Sequence, residues 1–572
     1  MQIAIAQQNY HIGNFEQNTQ KIIEAIQWAK EQKADLIVFS ELCICGYPPR
    51  DFLEFQDFID QCFRAIDKIK EHTSDIGVLV GAPDRNKRRE GKDLFNAAFL
   101  LHEKEIKAVV HKTCLPTYDI FDEDRYFEPA YDWHLVPFKG KQLAITICED
   151  IWNLGDNPLY RTCPMDILVE KKPDIMINLS ASPFDYDHDD DRKEMVRLNV
   201  LKYSLPMIYC NATGSQTEVI FDGGSLVFDN KGNVVTELKY FEEDYAMVDS
   251  QNLYSPDTSQ HNSHLDEKEF DKEMRVSKVN DPDKIIDYLV QERNIREIHA
   301  ALVLGIRDYF NKMGFTKAII GSSGGIDSAV TLVLACEALG NENVKAVLMP
   351  SQFSTSHSVD DAEQLSIHLN NPYSIIPIKN IYEAFMEALK TEFNNLPFSV
   401  AEENLQSRTR GNLLMAIANK FEFILLNTSN KSELATGYGT LYGDMAGGLS
   451  VLGDVYKMQV YALARYINRD QEIIPVNIIE KAPSAELRPD QKDIDSLPEY
   501  AVLDKILYQY IERRKGPDEI AGTGIDMSLV KRVLKMVNTN EYKRNQFCPV
   551  IRVSNKAFGI GRRMPIVAKY LG

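Results

Sequence analysis

Short apolar runs alternate with amphipathic helical patterns along the first half of the chain. The runs have the length of buried strands. They are Ile3–Ala6, Leu36–Phe39, Gly77–Val80, Ala97–Leu101, Leu143–Ile147, Ile175–Leu179, Met207–Tyr209 and Gly224–Val227. Helical patterns intervene at about residues 15–33, 54–72 and 192–204. Strands this frequent, mixed with helices, predict layers of sheet and helix in an α/β or α+β fold.

In the second half, helix and strand alternate more regularly. Strand patterns at 317–321, 344–349, 373–378 and 422–427 are separated by helical patterns. This order predicts a doubly wound parallel sheet of the α/β class, with a ligand at the carboxyl ends of its strands. A polar stretch without a clear period separates the halves. We therefore predict domains at 1–255 and 283–572, joined by a linker at 256–282.

Composition narrows the functional classes. The chain has 572 residues, of which 44% are hydrophobic and 26% charged, as in soluble globular proteins. No apolar run reaches the ~18–20 residues that span a membrane, and the N-terminus has no signal-peptide pattern. The net charge of −20 argues against non-specific binding to nucleic acid. Nine cysteines without a zinc-binding spacing suggest free thiols and a cytoplasmic protein.

The segment Gly321–Ser328 is the most informative in the second half, and it reads G-S-S-G-G-I-D-S. An apolar run precedes it and a helical pattern follows it. Such a turn directs backbone N–H groups and the helix dipole at an anion. Gly324 and Gly325 allow close approach to phosphate, and Asp327 is placed to hold a metal ion there. The alternative is an ordinary glycine–serine turn.

The S-G-G-I-D-S sequence resembles the phosphate-binding loop of the N-type ATP pyrophosphatases, and it lacks the lysine of P-loop enzymes. The resemblance implies that ATP adenylates a carbonyl oxygen, pyrophosphate leaves, and an amine displaces AMP. The residues implied in ATP binding are Gly321, Ser322, Ser323, Gly324, Gly325, Ile326, Asp327 and Ser328.

The first half carries a second set of reactive residues, each placed where a strand pattern ends. Glu41 follows D-L-I-V-F-S, Lys112 follows I-K-A-V-V-H, and Cys148 follows Q-L-A-I-T-I. A thiol nucleophile needs a base, and a carboxylate can take its proton and return it to a leaving amine. A lysine ammonium can stabilise the oxyanion formed on an amide. Together the three residues predict an amidase. Taken singly, a buried structural thiol and two surface charges are the alternatives.

Three segments around these residues resemble the signature segments of the nitrilase superfamily. They read F-S-E-L-C-I-C-G-Y-P-P, H-K-T-C-L-P-T-Y-D-I-F-D-E-D-R-Y-F and I-C-E-D-I-W. The resemblance implies an αββα sandwich with Glu41 as general base, Lys112 as oxyanion stabiliser and Cys148 as nucleophile. It also implies that Tyr118 and Ser182 hold glutamine.

The second half resembles the NAD synthetases, and the order of the two halves is that of the glutamine-dependent members. The segments that carry this resemblance include E-E-N-L-Q-S-R-T-R-G, N-T-S-N-K-S-E-L-A-T-G-Y and A-P-S-A-E-L-R-P. The resemblance implies ATP contacts at Thr428 and Lys457, and Mg²⁺ at Asp327 and Glu433. It further implies that deamido-NAD, the nicotinic acid dinucleotide, contacts Asn404, Glu433 and Lys543. For each single position, a helix cap or surface charge is the alternative.

One position departs from the pattern of this family. Many members have lysine or arginine six residues after the serine of S-P-F, where this chain has His188. A neutral histidine is a weaker partner for the carboxylate of glutamine. Arg192 or Lys193 are the alternatives for that contact.

The resemblance implies amidation of deamido-NAD with ammonia released from glutamine, giving NAD, AMP, diphosphate and glutamate. A protected passage for ammonia is expected, because free ammonia would mostly protonate in neutral water. We also expect a homo-oligomer. Two other functions stay open: another glutamine-dependent ATP-pyrophosphatase amidation, such as GMP synthesis, and a non-catalytic nucleotide or glutamine sensor.

Overall fold

The computed structural model divides the chain into two compact units, Met1–Val276 and Ser277–Gly572. It describes residues 1–154, 159–186, 188–254, 279, 281–484, 486–488, 493 and 497–570, with all their side chains except those at 188–190 and 356. The predicted linker at 256–282 lies almost entirely outside the described residues. The three domain bounds therefore stay predictions.

The first unit contains fourteen strands and five α-helices within its described residues. The strands are β1 (Gln2–Gln7), β2 (Leu36–Val38), β3 (Gly77–Arg85), β4 (Leu94–His102), β5 (Glu105–His111), β6 (Val136–Phe138), β7 (Lys141–Ile147), β8 (Ile175–Ser180), β9 (Met207–Asn211), β10 (Thr213–Gln216), β11 (Val219–Asp222), β12 (Leu226–Phe228), β13 (Val234–Glu237) and β14 (Asp244–Asp249). The helices are α1 (Phe15–Glu31), α2 (Gln56–Lys70), α3 (Glu123–Tyr126), α4 (Pro164–Val169) and α5 (His188–Tyr203).

Two six-stranded sheets form the body of this unit. Their strand orders are β14-β1-β2-β3-β4-β5 and β13-β12-β9-β8-β7-β6, and β10 pairs with β11 separately. Side chains from both sheets, including Ile5, Leu79, Ile145 and Ile177, join one buried cluster between them. A second cluster buries the outer face of the latter sheet against α4 and α5. The predicted αββα sandwich is confirmed.

The second unit is a parallel sheet with helices. Its strands are β15 (Ala318–Gly321), β16 (Val344–Leu348), β17 (Tyr373–Ile375), β18 (Ile424–Asn427) and β19 (Leu449–Ser450). Its helices are α6 (Ile285–Leu289), α7 (Glu292–Met313), α8 (Ile326–Leu339), α9 (Ser356–Leu369), α10 (Lys379–Phe393), α11 (Val400–Phe421), α12 (Lys431–Thr436), α13 (Lys457–Ile467), α14 (Val476–Glu480), α15 (Tyr500–Ile511), α16 (Pro517–Ala521), α17 (Met527–Thr539) and α18 (Glu541–Arg544).

The strand order β17-β16-β15-β18-β19 places the first strand of this sheet in its centre. The chain moves outward from β15 in one direction and then returns to its other side at β18, and all pairings are parallel. The switch point therefore lies between β15 and β18, where such sheets bind ligands. The predicted doubly wound parallel sheet is confirmed.

Three sequence-based strand bounds were wrong by two or three residues. The pattern at 422–427 begins as a strand only at Ile424, because Glu422 ends α11 with φ of 58°. The predicted run at Gly224–Val227 begins as a strand only at Leu226, because Gly224 has φ of 59°, outside the extended region. The pattern at 373–378 yields only Tyr373–Ile375, on the edge of the sheet. Several strands were not predicted, among them β13 and β19, because one is mostly exposed and the other has two residues.

Among the described residues, no helix has the length and apolar character needed to cross a membrane. All nine cysteines are free thiols.

Candidate active sites

The predicted amidase residues meet at the ends of three strands. Glu41 lies three residues beyond β2, Lys112 directly follows β5, and Cys148 directly follows β7. All three are buried, with exposed fractions of 2%, 0% and 4%. Cys148 has φ of 42°, in the left-handed region that a non-glycine residue rarely adopts. Such backbone strain is typical of functional positions.

Lys112 lies at the centre of a buried network of charges. Its Nζ donates to Glu41 Oε1 and to Glu123 Oε1, at 2.8 Å in both cases. Asn96 Nδ2 donates to Glu41 Oε1 at 2.7 Å, and the backbone N–H of Ala181 donates to Glu41 Oε2 at 3.1 Å. Because both oxygens of Glu41 accept hydrogen bonds, its carboxylate is fixed in one orientation.

The charges in this network set the protonation states. Burial raises the pKa of Glu41 to about 7, and Lys112 opposes that rise. Burial lowers the pKa of Lys112, but the charges of Glu123 and Glu41 outweigh it and raise the pKa above its ordinary value. Burial and Glu41 raise the pKa of the Cys148 thiol. The resting set at neutral pH is therefore a thiol, a carboxylate near its pKa and an ammonium.

Asp150 fixes Cys148 relative to Lys112. Its Oδ2 accepts from the backbone N–H of Ile147 at 3.0 Å. Its Oδ1 accepts from the N–H groups of Thr113 and Cys114, at 2.9 and 2.8 Å. The side chain thus joins the turn that carries the thiol to the segment that carries the ammonium.

The predicted glutamine-binding residues flank this set. The Tyr118 hydroxyl donates to Glu149 Oε1 and Oε2 at 3.1 and 2.9 Å, and the Tyr160 hydroxyl donates to Oε1 at 3.2 Å. Ser182 is buried, and its N–H donates to Asn211 Oδ1 at 2.9 Å. Glu149 directly follows the thiol in the chain and is 3% exposed, so it is a further buried carboxylate at the site.

The three candidates for the glutamine carboxylate have different surroundings. Arg192 is buried and donates from both terminal nitrogens to Asp222, at 2.8 and 2.7 Å. Lys193 Nζ lies 2.6 Å from Glu237 Oε1. The side chain of His188 lies outside the described residues. Which of the three meets glutamine stays open.

In the second unit, a cavity of about 740 Å³ opens at the carboxyl ends of the strands. Its size is that of a typical small-molecule site. It is lined by these residues predicted for ATP or dinucleotide binding: Gly321, Ser322, Ser323, Gly325, Ile326, Asp327, Ser328, Asn404, Thr428, Glu433, Lys457 and Lys543.

The predicted phosphate loop has the expected strand–turn–helix context, between β15 and α8. Gly324 has φ of 77°, and a Cβ there would lie 2.1 Å from the carbonyl oxygen of Ser358. Only glycine fits this position. The loop is braced by its own hydroxyls, since Ser323 Oγ accepts from Gly325 N–H at 3.2 Å and Ser328 Oγ from Ser323 N–H at 3.3 Å.

Asp327, Glu433 and Lys457 form a charged cluster beside the loop. Lys457 Nζ lies 2.5 Å from Asp327 Oδ2 and 3.7 Å from Glu433 Oε1. Asn430 Nδ2 donates to Asp327 Oδ1 at 2.9 Å. Burial, followed by the charge of Asp327, raises the pKa of Glu433 to about 8. Two partly buried carboxylates that share one ammonium have capacity for a further cation.

The other predicted dinucleotide contacts lie on separate elements around the cavity. Asn404 lies inside α11, not at its cap, and its Oδ1 accepts from Thr440 Oγ1 at 2.7 Å. Lys543 Nζ donates to the carbonyl oxygens of Gly437 and Gly439 at 2.7 and 2.8 Å. Both side chains therefore line the cavity and brace the loop that follows α12.

Sequence reasoning missed several groups at both sites. Glu123 belongs to the segment D-E-D-R-Y, where three neighbouring acids gave no reason to single it out. Asp493 and Arg410 line the cavity. Burial lowers the pKa of Arg410 to about 10, and its Nε donates to the Met349 carbonyl oxygen at 3.0 Å. The sequence R-T-R in α11, which contains Arg408 and Arg410, is the feature that could have indicated a cation facing a bound anion.

Comparisons with known proteins agree for both units. A carbon-nitrogen hydrolase family model matches residues 2–255, and an NAD synthase family model matches residues 298–547. Each match contains one of the two sites described above.

Full-length relatives carry both regions in one chain. The chain is 42% identical to a glutamine-dependent NAD(+) synthetase from a Synechocystis species, over 99% of each chain. It is 40% identical to one from Thermotoga maritima, over 100% of this chain and 99% of the relative. A solved glutamine-dependent NAD(+) synthetase from Acinetobacter baumannii, in complex with ADP, is 35% identical with a TM-score of 0.74, over 99% of this chain and 98% of that one. The chain therefore belongs to the glutamine-dependent NAD(+) synthetase family.

Proposed function

We propose that this chain carries out the reaction that its relatives are named for, the glutamine-dependent synthesis of NAD. The observation that carries the proposal is the presence of two complete sets of groups on one chain. The first is a buried thiol with a carboxylate and an ammonium, and the second is a phosphate loop that opens into a cavity. Ammonia is the species that the first can release and the second can consume.

At the first site, Glu41 takes the proton of Cys148 as sulfur attacks the side-chain amide of glutamine. Lys112 stabilises the oxyanion, because its ammonium is held in place before the reaction. Glu41 then returns the proton to the leaving ammonia. Water hydrolyses the thioester, with Glu41 as base, and glutamate leaves. The raised pKa of Glu41 suits both proton transfers near neutral pH.

Glu149 is placed to select glutamine by its α-amino group. Its carboxylate is held by the hydroxyls of Tyr118 and Tyr160, and it directly follows the nucleophile in the chain. An ammonium of the substrate would complete the set of donors to this carboxylate. Tyr118 then acts on glutamine through Glu149 as well as by direct contact.

At the second site, the loop Gly321–Ser328 binds the phosphates of ATP, and the nicotinate carboxylate of deamido-NAD attacks the α-phosphorus. Pyrophosphate leaves and an acyl adenylate forms. Ammonia then attacks the activated carbonyl and displaces AMP, which leaves the amide of NAD. Lys457 offsets charge on the departing phosphates, and Arg410 is a further cation that faces the cavity.

Asp327 and Glu433 suit Mg²⁺, which usually takes one or two protein carboxylates together with substrate phosphates and water. Among the residues that the structure describes, no group of three or more histidine, cysteine or acidic residues forms a self-sufficient metal site. When bound, Mg²⁺ would offset phosphate charge as pyrophosphate leaves. The homo-oligomer, the cytoplasmic location and the protected ammonia passage stay predictions.

The rate of glutamine hydrolysis is expected to fall tenfold per pH unit below about pH 7. Glu41 is the base and must be ionised, and burial raises its pKa to about 7. The negative charge of Glu123 contributes to the raised pKa of Glu41. In Glu123→Gln this charge is lost, so the acidic limb of the pH–rate profile moves to lower pH. The maximal rate falls about 10- to 100-fold, because Lys112 loses one of its two acceptors. Glutamate release measured from pH 5 to 9 tests both effects.

Glu218→Gln is the control, because Glu218 pairs with Arg50 and no described hydrogen bond or ion pair joins it to Glu41, Lys112 or Glu123. Ammonium-driven NAD synthesis by Glu123→Gln shows whether the rest of the chain is intact. The same acidic limb in wild type and Glu123→Gln, near the ordinary pKa of glutamate, would contradict Glu41 as a buried base.

The acceptor is tested by supplying ATP, Mg²⁺ and glutamine with either deamido-NAD or xanthosine monophosphate. We expect NAD, AMP and pyrophosphate from deamido-NAD, and no GMP from xanthosine monophosphate. GMP formation would assign the chain to the alternative amidation. Failure to exchange labelled pyrophosphate into ATP with any acceptor would indicate a sensor that has kept the fold.

A further inference from the structure

Two helices begin side by side beneath the phosphate loop, and each carries one of the charged residues of the synthetase site. Glu433 lies in the first turn of α12, where Asn430 Oδ1 accepts from its N–H at 3.0 Å. Lys457 is the first residue of α13. The separation between the Glu433 carboxylate and the Lys457 ammonium therefore depends on how these two helix starts are held together.

One carboxylate joins the two helix starts from behind. Asp504 Oδ1 accepts from the hydroxyl of Ser432, on α12, at 2.5 Å. Asp504 Oδ2 accepts from the backbone N–H of Met458, on α13, at 2.9 Å. The Ser432 hydroxyl in turn accepts from the backbone N–H of Lys457 at 3.0 Å. Asp504 and Ser432 thus connect the residue before Glu433 to Lys457 itself.

The hydrogen bonds made by Asp504 and Ser432 satisfy backbone N–H groups at the start of α13. The first N–H groups of a helix have no partner inside it. Here the N–H of Lys457 is buried and that of Met458 is partly buried. Side chains from two other helices satisfy them, and a carboxylate near a helix N-terminus also interacts favourably with the helix dipole. Asp504 is 0% exposed, so no water replaces it.

The same helix supports the site at a second point. Tyr500 lies one turn before Asp504 on α15, on the same face of the helix. Its hydroxyl donates to Asp493 Oδ2 at 2.9 Å, and its ring centre lies 5.3 Å from Lys457 Nζ. Helix α15 therefore contacts Lys457 of the charged cluster through Tyr500. Through Asp504 it contacts α12 and α13, the two helices that carry Glu433 and Lys457.

We propose that Asp504 is a positioning residue for adenylation, which sets the separation of Glu433 and Lys457 by joining the starts of α12 and α13. This inference rests on the proposed function of that cavity. Asp504 itself contacts neither carboxylate of the cluster through any described hydrogen bond, so it acts through the backbone. Its loss would let the Lys457 ammonium and the Glu433 carboxylate move apart. The site that balances phosphate charge would then be distorted.

The test is ammonium-driven NAD synthesis by Asp504→Ala, Asp504→Asn and Ser432→Ala as a function of free Mg²⁺. For Asp504→Ala we expect kcat/KM for ATP to fall about 100-fold, the typical cost of a misplacement near 1 Å. The Mg²⁺ concentration for half-maximal rate rises about tenfold, because one of the two carboxylates is displaced. Asp504→Asn keeps the shape of the side chain but replaces one acceptor oxygen by a donor amide, so it recovers only part of the activity. Ser432→Ala keeps the contact between Asp504 and the Met458 N–H and also falls between Asp504→Ala and wild type.

Leu507→Ala is the matched control, because Leu507 is buried on the same helix and its side chain has no polar group to join α12 and α13. It reports how a general loss of stability changes the rate. The proposal is overturned if Asp504→Ala keeps the Mg²⁺ dependence of wild type and loses only as much rate as Leu507→Ala at an equal loss of melting temperature. Wild-type synthesis, measured first, tests the proposed function separately.

Discussion

Replacement of Lys457 by methionine is expected to slow NAD synthesis from both glutamine and ammonium about 100- to 1,000-fold, while glutamine hydrolysis continues. Lys457 Nζ lies 2.5 Å from Asp327 and 3.7 Å from Glu433, and it is the cation of this cluster. Without it, the two partly buried carboxylates face each other without a cation, and the phosphates meet uncompensated negative charge. Removing a charge-stabilising group of this kind costs about 100- to 1,000-fold in rate. Pyrophosphate release and NAD formation measure the loss.

Lys505→Met is the matched control for this variant. Lys505 belongs to α15 and pairs with Asp283 at 2.8 Å, and neither residue lines the cavity. Its activity is expected to equal that of wild type. Substantial NAD synthesis by Lys457→Met, within about tenfold of wild type, would contradict a role in balancing phosphate charge.

Cys148→Ala is expected to lose glutamine hydrolysis entirely, to the limit of detection. No other described group at that site is placed to form a thioester, and the remaining donors only polarise the amide. Mass spectrometry of the wild type, stopped during turnover, should show a glutamyl adduct on the peptide that contains Cys148. Cys210→Ala is the control, since its thiol is buried in the core and donates to backbone carbonyl oxygens of Ala6 and Val38. Glutamate release by Cys148→Ala at the rate of Cys210→Ala would remove the thiol from the mechanism.

The amidase set was predictable because each member follows an apolar run that forms a strand. Glu41 and Lys112 follow β2 and β5 of one sheet, and Cys148 follows β7 of the facing sheet, so strand ends of both layers meet at the site. Glu123 was not predictable, because it lies on α3 and meets Lys112 only when the chain folds back after β5. Asn96 was missed for a similar reason: it lies inside β4, where an amide among apolar residues gives no pattern.

The phosphate loop was predictable for a different reason, because strand, glycine turn and helix are all local in sequence. The sequence predicted that the charge of Lys457 lies near the phosphates. It did not predict the contact with Asp327, which is 130 positions away in the chain. Asp504 has no sequence signal at all. It is one acid in an ordinary helical pattern, and only the packing of three helices shows that its carboxylate is fully buried.

The central claim is that ammonia released at Cys148 is the nitrogen source for a separate adenylating site on the same chain. The most direct measurement is NAD formation by wild type and Cys148→Ala, side by side, with deamido-NAD, ATP and Mg²⁺ and either glutamine or ammonium. We expect wild type to use both nitrogen sources, and Cys148→Ala to lose the glutamine-driven reaction alone. Loss of both reactions in a folded Cys148→Ala variant, or no NAD from either source in wild type, would contradict the central claim.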